Sequence, residues 1–276
     1  MGAEVEVEQV SDSGARALKV AVAGKGGVGK TTLTSLLAGY FRDRGRRVLA
    51  IDADPSPCLG EALGFPAEKL QRLSPLSEMD ELIAERTGSE SGGFFKLNPR
   101  VDDLPGKFSQ VHDGVRLLLL GSVQHGGAGC FCPASTLLQQ LVRRVMLSKD
   151  EVVLLDLYAG VEHLGRATAD SVDVMLIVVE PTMRSIKTAI QVRDLAADIG
   201  ITNVLLVGNK LAGEEDAKFI TKNSSGFELA GLLPFTGAAF AADREGSALY
   251  RLDPSLSLAI EEIANQVEFS VAAAAF

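Results

Sequence analysis

The stretch Gly24–Thr31, GKGGVGKT, sets two lysines, Lys25 and Lys30, among glycines and ends at the paired hydroxyls of Thr31 and Thr32. The spacing Gly-x-x-x-x-Gly-Lys-Thr is the Walker A arrangement for gripping polyphosphate. Its glycines let backbone N–H groups curl toward phosphate oxygens, its lysine reaches the β- and γ-phosphates, and its threonine hydroxyl meets a magnesium ion. Gly26, Gly27, Val28, Gly29, Lys30, Thr31 and Thr32 are therefore the candidate nucleotide-binding residues, with Mg2+ at Thr31. Lys25 comes too early in the loop to duplicate Lys30. From its own residues it reads either as a solvated loop lysine or as a second cation directed at phosphate.

Other residues able to join such a site stand at the ends of apolar runs. RVLAID leads into Asp52-Ala53-Asp54-Pro55, where the aspartates either cap a turn or serve chemistry. EVVLLDL places Asp156 in the Walker B position, a carboxylate for magnesium, with Gly160 behind it as a hinge toward a γ-phosphate. NVLLVGNK ends in Asn209-Lys210, and the Asn amide offers the donor and acceptor that match the N6 and N7 edge of adenine. Lys210 and Pro234 complete the cofactor-binding set. Asn-Lys also occurs in GTP-binding chains, but no aspartate follows closely here, so ATP is the expected nucleotide and GTP the alternative.

A different chemistry is offered by Cys130 and Cys132 in GGAGCFCPAS. Two thiolates fill only half of a tetrahedral site, so the pair reads either as buried small apolar residues or as half of a metal centre. Pro133 and Ser135, followed by the stripe Leu137, Leu138 and Leu141, predict a helix beginning at the pair, whose N-terminal dipole favours thiolate.

These residues need a scaffold, and the chain supplies a regular one. LKVAVAG, RVLAID, VRLLLLG, EVVLLDL, DVMLIVVE and NVLLVGN are continuously apolar, as parallel strands covered on both faces should be. Helical stretches intervene, among them 31–44, with Leu33, Leu36, Leu37, Tyr40 and Phe41 on one stripe. The expected architecture is one doubly wound α/β domain with a mainly parallel sheet, a P-loop NTPase fold, spanning 17–276. An acidic, disordered tail is expected over 1–16, and an insertion of short helices and loops over about 74–113. With 276 residues, 46% hydrophobic and 23% charged, the chain can bury a large core. The net charge of −9, with no clustered basic residues, argues against a nucleic-acid partner. No apolar run approaches a membrane span and no signal peptide opens the chain, so a cytoplasmic protein without membrane attachment is expected. The three cysteines, an odd number, fit a reducing compartment.

The segment KGGVGKTT resembles the deviant Walker A motif of the MinD, ParA and nitrogenase iron protein class of P-loop ATPases. That resemblance implies an ATP-dependent homodimer in which Lys25 crosses to the phosphates of the partner. It gives Asp54 the water-orienting role in the first switch and Asp52 a place in the magnesium shell, beside Asp156. With GVEHLGRATADSVDVMLIVVEPTMRSIKTA and the Cys pair, the chain is similar, over about residues 18–246, to the CooC family. Those ATPases help insert nickel into carbon monoxide dehydrogenase. The likeness implies a metallochaperone that binds Ni2+ or Zn2+ through Cys130 and Cys132 of two subunits, with carbon monoxide dehydrogenase as client. Tyr158 stands where the family's second switch often carries Glu.

Two other readings share the fold. A reductase like the nitrogenase iron protein would hold an interfacial iron–sulfur cluster on well-separated cysteines. A positioning ATPase of the MinD or ParA kind would carry a basic amphipathic C-terminus, whereas EEIANQVEFSVAAAAF has acids and no base. Cys58, just after the first switch, reads as a packing residue or as a sensor of nucleotide state, and His163, beside the second switch, as a hydrogen-bonded structural histidine or as a relay of its movement. His112 and His125 are expected in loops, His125 being a candidate extra ligand near the Cys pair.

Overall fold

The computed structural model describes residues 16–88, 95–121, 133–145, 148–158, 172–253 and 256–274. Gly160, His125, His163, Cys130 and Cys132 lie outside them, as does nearly all of the expected tail. A sheet of eight strands runs through the centre in the order β3-β4-β2-β5-β1-β6-β7-β8. The strands are β1 (Leu18–Ala23), β2 (Arg47–Ala53), β3 (Gln110–His112), β4 (Val115–Leu119), β5 (Glu151–Leu157), β6 (Val174–Val179), β7 (Val204–Leu211) and β8 (Glu228–Pro234). All neighbours pair in parallel except the β3–β4 edge, which is antiparallel.

The continuous apolar runs explain this sheet. Every residue of β1 and β6 is buried, which requires cover on both faces. Side chains alternate across the pleat, so Val20 and Val22 join one core and Ala21 and Ala23 the other. The first core is closed by helices α1 (Lys30–Asp43) and α11 (Ser257–Ala273), the second by α4 (Asp80–Thr87), α6 (Pro133–Arg144) and α7 (Met183–Asp198). Helices α2 (Leu59–Ala62), α3 (Ala67–Leu70), α5 (Leu104–Phe108), α8 (Glu214–Asn223), α9 (Ala238–Glu245) and α10 (Leu249–Leu252) complete the described helices. Leu33, Leu37 and Phe41 of α1 are fully enclosed, and each contributes roughly 1.5–3 kcal/mol by leaving water. That seats α1 firmly behind the loop it follows.

The expected insertion at 74–113 contains a 3-10 turn, α4 and α5, but it ends in the edge strand β3 rather than in loop. His112 therefore sits in a strand, its ring 5.3 Å from that of Phe65 in an edge-to-face contact, correcting its placement in a loop. The turn Asp113-Gly114 joins β3 back onto β4, a pairing too short to show a hydrophobic alternation. Strand β8 also lacked a clear sequence signal, because Glu228 is exposed and Gly231 and Pro234 interrupt its run.

Candidate functional site

The carboxyl ends of β1, β2, β5, β7 and β8 open onto one cleft of about 620 Å³, where a doubly wound sheet places its ligands. Its floor is the loop between β1 and α1. Gly24 has φ +139°, and a Cβ there would lie 2.5 Å from the Val178 carbonyl, so only glycine fits. Gly29 has φ +97°, and its Cβ would strike Asn209 Nδ2 at 2.2 Å. These two positions force the loop into its curl. Helix α1 then begins without a side-chain cap and without an acid in its first turn, leaving its N–H groups and the positive end of its dipole facing the cleft.

Lys30 is buried, and its Nζ donates to the Lys25 carbonyl at 3.4 Å. Burial lowers its pKa, opposed by the negative charges of Asp156 and Asp54. Lys25 is half-buried, and among the described residues its own ammonium makes no hydrogen bond or ion pair. Gly26, Gly27, Gly29, Lys30, Thr31, Thr32, Asp54, Asn209, Lys210 and Pro234, all expected at the site, line this cleft together. Val28 instead turns its side chain into the core and contributes its backbone.

The acidic end is set by strand register. Asp52 on β2 and Asp156 on β5 are direct neighbours in the parallel ladder, so their carboxylates stand side by side. Asp156 Oδ2 accepts from Thr31 Oγ1 at 2.6 Å, while its Oδ1 is buried without a hydrogen-bond partner. Burial pushes the Asp156 pKa up to about 7. An orphaned, buried carboxylate oxygen beside a threonine hydroxyl is a donor set of hard oxygens, which suits Mg2+. Asp52 is differently engaged. Oδ1 accepts from the Asp54 N–H at 3.0 Å, and Oδ2 from the N–H groups of Cys58 and Leu59 at 3.0 and 2.9 Å. Burial still holds its pKa up at about 6, against these bonds. Asp52 thus fastens the loop that carries Asp54 and Cys58. Asp54 is half-buried over the cleft, with Oδ1 accepting from the Ser56 N–H at 2.8 Å.

At the far end Asn209 Nδ2 donates to the Val28 carbonyl at 2.8 Å, and Oδ1 accepts from the Lys210 N–H at 2.8 Å. The amide therefore ties β7 to the phosphate loop, keeping one N–H and one lone pair for a base. Lys210 adopts φ 62° and sends its Nζ to the Gly27 carbonyl. Phe235 and Phe240, with ring centroids 6.2 Å apart, form the wall beyond Pro234. Neither was singled out from the sequence; an aromatic directly after the β8 proline was the available signal. Tyr158 also lines the cleft, and so does Cys58, which is exposed there, contrary to its reading as a packing residue.

The Cys130–Cys132 pair lies outside the described residues; the helix expected after it is present as α6, with Leu137, Leu138 and Leu141 buried. Its far end is tied to the amino end of β1, the edge of the sheet opposite the nucleotide cleft. The buried Lys19 of β1 donates to the carbonyls of Val142 and Arg143 at 3.1 and 3.3 Å, where the helix dipole is negative. Among the described residues no group of three or more His, Cys, Asp or Glu side chains is arranged to hold a metal, and no helix is long and apolar enough to cross a membrane.

A parallel sheet with a glycine loop, a buried lysine and paired strand-end carboxylates defines a P-loop ATPase, and the chain belongs to the CbiA family, the CobQ/CobB/MinD/ParA nucleotide binding domain, which matches residues 19–249. Within that family it falls with the CooC proteins. It is 47% identical over 240 residues to the carbon monoxide dehydrogenase accessory protein CooC of Rhodospirillum rubrum, covering 86% of this chain and 91% of that one. An uncharacterized ATP-binding protein of Methanocaldococcus jannaschii is 42% identical over 255 residues, covering 91% and 97%. In fold the chain is similar to the MinD cell division protein of Aquifex aeolicus, with a TM-score of 0.64 at 22% identity over 91% of this chain and 97% of that one. It is likewise similar to a ParA family ATPase of Chlorobium tepidum, with a TM-score of 0.63 at 18% identity over 94% and 99%.

Proposed function

We propose that this ATPase is an accessory protein of carbon monoxide dehydrogenase, a metallochaperone whose ATP-dependent homodimer binds Ni2+ or Zn2+ through Cys130 and Cys132 of both subunits. The observation that carries the reading is the placement of α6. Its first residue, Pro133, directly follows the Cys pair in sequence, and its last turn is bonded to Lys19 on the strand that feeds the phosphate loop. Strand β1 and helix α6, joined through Lys19, together connect the phosphate loop to the segment that carries the thiols. The likeness to CooC supports the client.

In this reading Lys30 and the first turn of α1 bind the phosphates, and Thr31 and Asp156 hold Mg2+, which supplies charge neutralisation of the phosphoryl oxygens. Asp54 orients the attacking water. Asp52 holds Asp54 in place and, beside Asp156, would support the magnesium shell. Lys25, whose ammonium has no partner among the described residues, is free to reach the phosphates bound by a second subunit. Asn209, Lys210 and Pro234 face the adenosine.

The test is a metal titration with and without a non-hydrolysable ATP analogue. One Ni2+ or Zn2+ per dimer is expected, because one subunit offers only two of the four ligands. If metal and nucleotide both favour the closed dimer, each raises the affinity of the other by the same factor, roughly 5–150-fold. Cys130→Ser with Cys132→Ser should remove that coupling. One metal per monomer, indifferent to nucleotide, would falsify the shared four-thiolate site.

A further inference from the structure

The third cysteine is far from the pair in sequence and close to the chemistry. Cys58 is exposed on the wall of the nucleotide cleft, with Thr31 and Asp54. Its Sγ lies 3.6 Å from Thr31 Oγ1, the hydroxyl that donates to Asp156. We propose that Cys58 gives the nucleotide's metal position a sulfur ligand, so that ATP can be bound with a thiophilic divalent cation such as Co2+, Ni2+, Zn2+ or Cd2+ in place of Mg2+. This is a second metal chemistry, separate from the Cys130–Cys132 site.

Three observations converge on it. The first is distance. An ion about 2.1 Å from the hydroxyl oxygen and about 2.3 Å from sulfur would see them at roughly 110° if they stand 3.6 Å apart, an angle close to tetrahedral. The second is the buried Asp156 Oδ1, which has no hydrogen-bond partner, on the carboxylate that shares Thr31 with Cys58. An unpaired buried carboxylate oxygen marks a place for a cation independently of the thiol. The third is rigidity. The Cys58 N–H is held by Asp52 Oδ2 at 3.0 Å, and Leu59, next in the chain, is fully buried, so the backbone that presents the thiol is fixed from both sides.

The protein's own donors do not close a shell, since no cluster of three or more His, Cys, Asp or Glu ligands exists among the described residues. Phosphate oxygens and water must complete it. The soft ion should therefore bind only together with nucleotide. An all-oxygen shell favours Mg2+, whereas one sulfur shifts preference toward later and softer ions. Metal occupancy of the hydrolytic site would then report the cell's supply of the same class of ion that the Cys130–Cys132 pair is proposed to carry.

Co2+ is the probe. The chain has three cysteines, so in a Cys130→Ser/Cys132→Ser protein Cys58 is the last thiol, and any sulfur-to-cobalt charge-transfer absorption must come from it. A near-ultraviolet band is expected when Co2+ and a non-hydrolysable ATP analogue are both present, absent with either alone, and lost on adding Cys58→Ser. In the otherwise unchanged chain, Cys58→Ser should lower the ratio of Cd2+ to Mg2+ affinity in supporting nucleotide binding by about 10–100-fold, the range seen when a metal's supporting groups are removed. That ratio is read within each protein, so a general weakening of nucleotide binding does not imitate it. An unchanged ratio, or nucleotide bound with Co2+ and no band in the single-thiol protein, overturns the proposal. A band that vanishes with Cys130 and Cys132 alone would do so while leaving the metallochaperone reading standing.

Discussion

At its phosphate end the nucleotide cleft is buried and crowded with backbone; at its base end it is open and aromatic. Lys30, Asp52 and Asp156 are all nearly inaccessible and held by strand register or by helix α1. Phe235 and Phe240 are 54% and 62% exposed, on a strand terminus and the first turn of a short helix. The phosphate end is a preorganised electrostatic device, in which charged groups are already desolvated and aimed. The base end is a surface that gains cover only when something lies on it. The contrast predicts unequal responses to substitution.

The largest effect should come from Lys30→Ala. In the proposed role this buried ammonium makes two charge-assisted bonds to phosphate, so its removal should cost about 3–6 kcal/mol, or roughly 10²–10⁴-fold in ATP affinity. Lys25→Ala, at the same end and in the same loop, should leave ATP binding to the monomer within a few-fold and abolish nucleotide-dependent dimerisation and turnover. Equilibrium binding of a fluorescent ATP analogue beside light scattering separates the two. Equal losses of affinity would break the division of labour between the lysines.

A smaller effect tests the burial itself. Asp156 and Asp52 have pKa values raised by burial to about 7 and about 6, above the 3.8 of a free aspartate. Between those limits the native state keeps protons that the unfolded chain has released, so the nucleotide-free protein loses stability as pH rises from about 4 to 7, and the loss levels off above. The midpoint of thermal unfolding should fall between about pH 5 and about pH 8. Asp156→Asn should flatten that slope, and Mg2+ with ADP should raise the midpoint most at the alkaline end, where a cation meets two ionised carboxylates. A wild-type profile rising with pH would show that these carboxylates are not desolvated in solution.

The same contrast explains what the sequence disclosed. The phosphate end is local: Gly24, Gly29, Lys30 and Thr31 lie in one loop whose spacing is dictated by phosphate geometry, so the motif carries its own structure. Asp52 and Asp156 were visible as acids ending apolar strands, and parallel register did the rest. Their separate duties were not visible, because the bonds from Asp54, Cys58 and Leu59 to Asp52 belong to a loop conformation without a sequence signature. The place of Cys58 beside Thr31 is likewise a contact between residues far apart in the chain. Strands β3 and β8 escaped notice because edge strands need not be apolar throughout.

The base end should give the smallest effect, and the most specific one. Phe235 is fixed by its N–H, which donates at 2.8 Å to the carbonyl of Leu211, the β7 residue that directly follows Asn209 and Lys210. Its ring and that of Phe240 stand 56° apart in tilt and face the cleft that the phosphate loop opens at the other end. Two large rings left this exposed gain contact area if a flat base settles against them, and an aromatic contact of that kind contributes about 0.5–1.5 kcal/mol beyond its area. Phe235→Ala or Phe240→Ala should therefore weaken ATP binding roughly 2–12-fold. Tripolyphosphate, which carries the charge without the base, should bind both variants as it binds the wild type. Calorimetric titration of each variant with ATP and with tripolyphosphate reads the difference directly. If tripolyphosphate weakens in step with ATP, the rings support the phosphate loop rather than the base, and the two ends of the cleft are not independent. If neither ligand is affected while concentration-dependent association is lost, the aromatic wall faces a second protein chain instead of adenine.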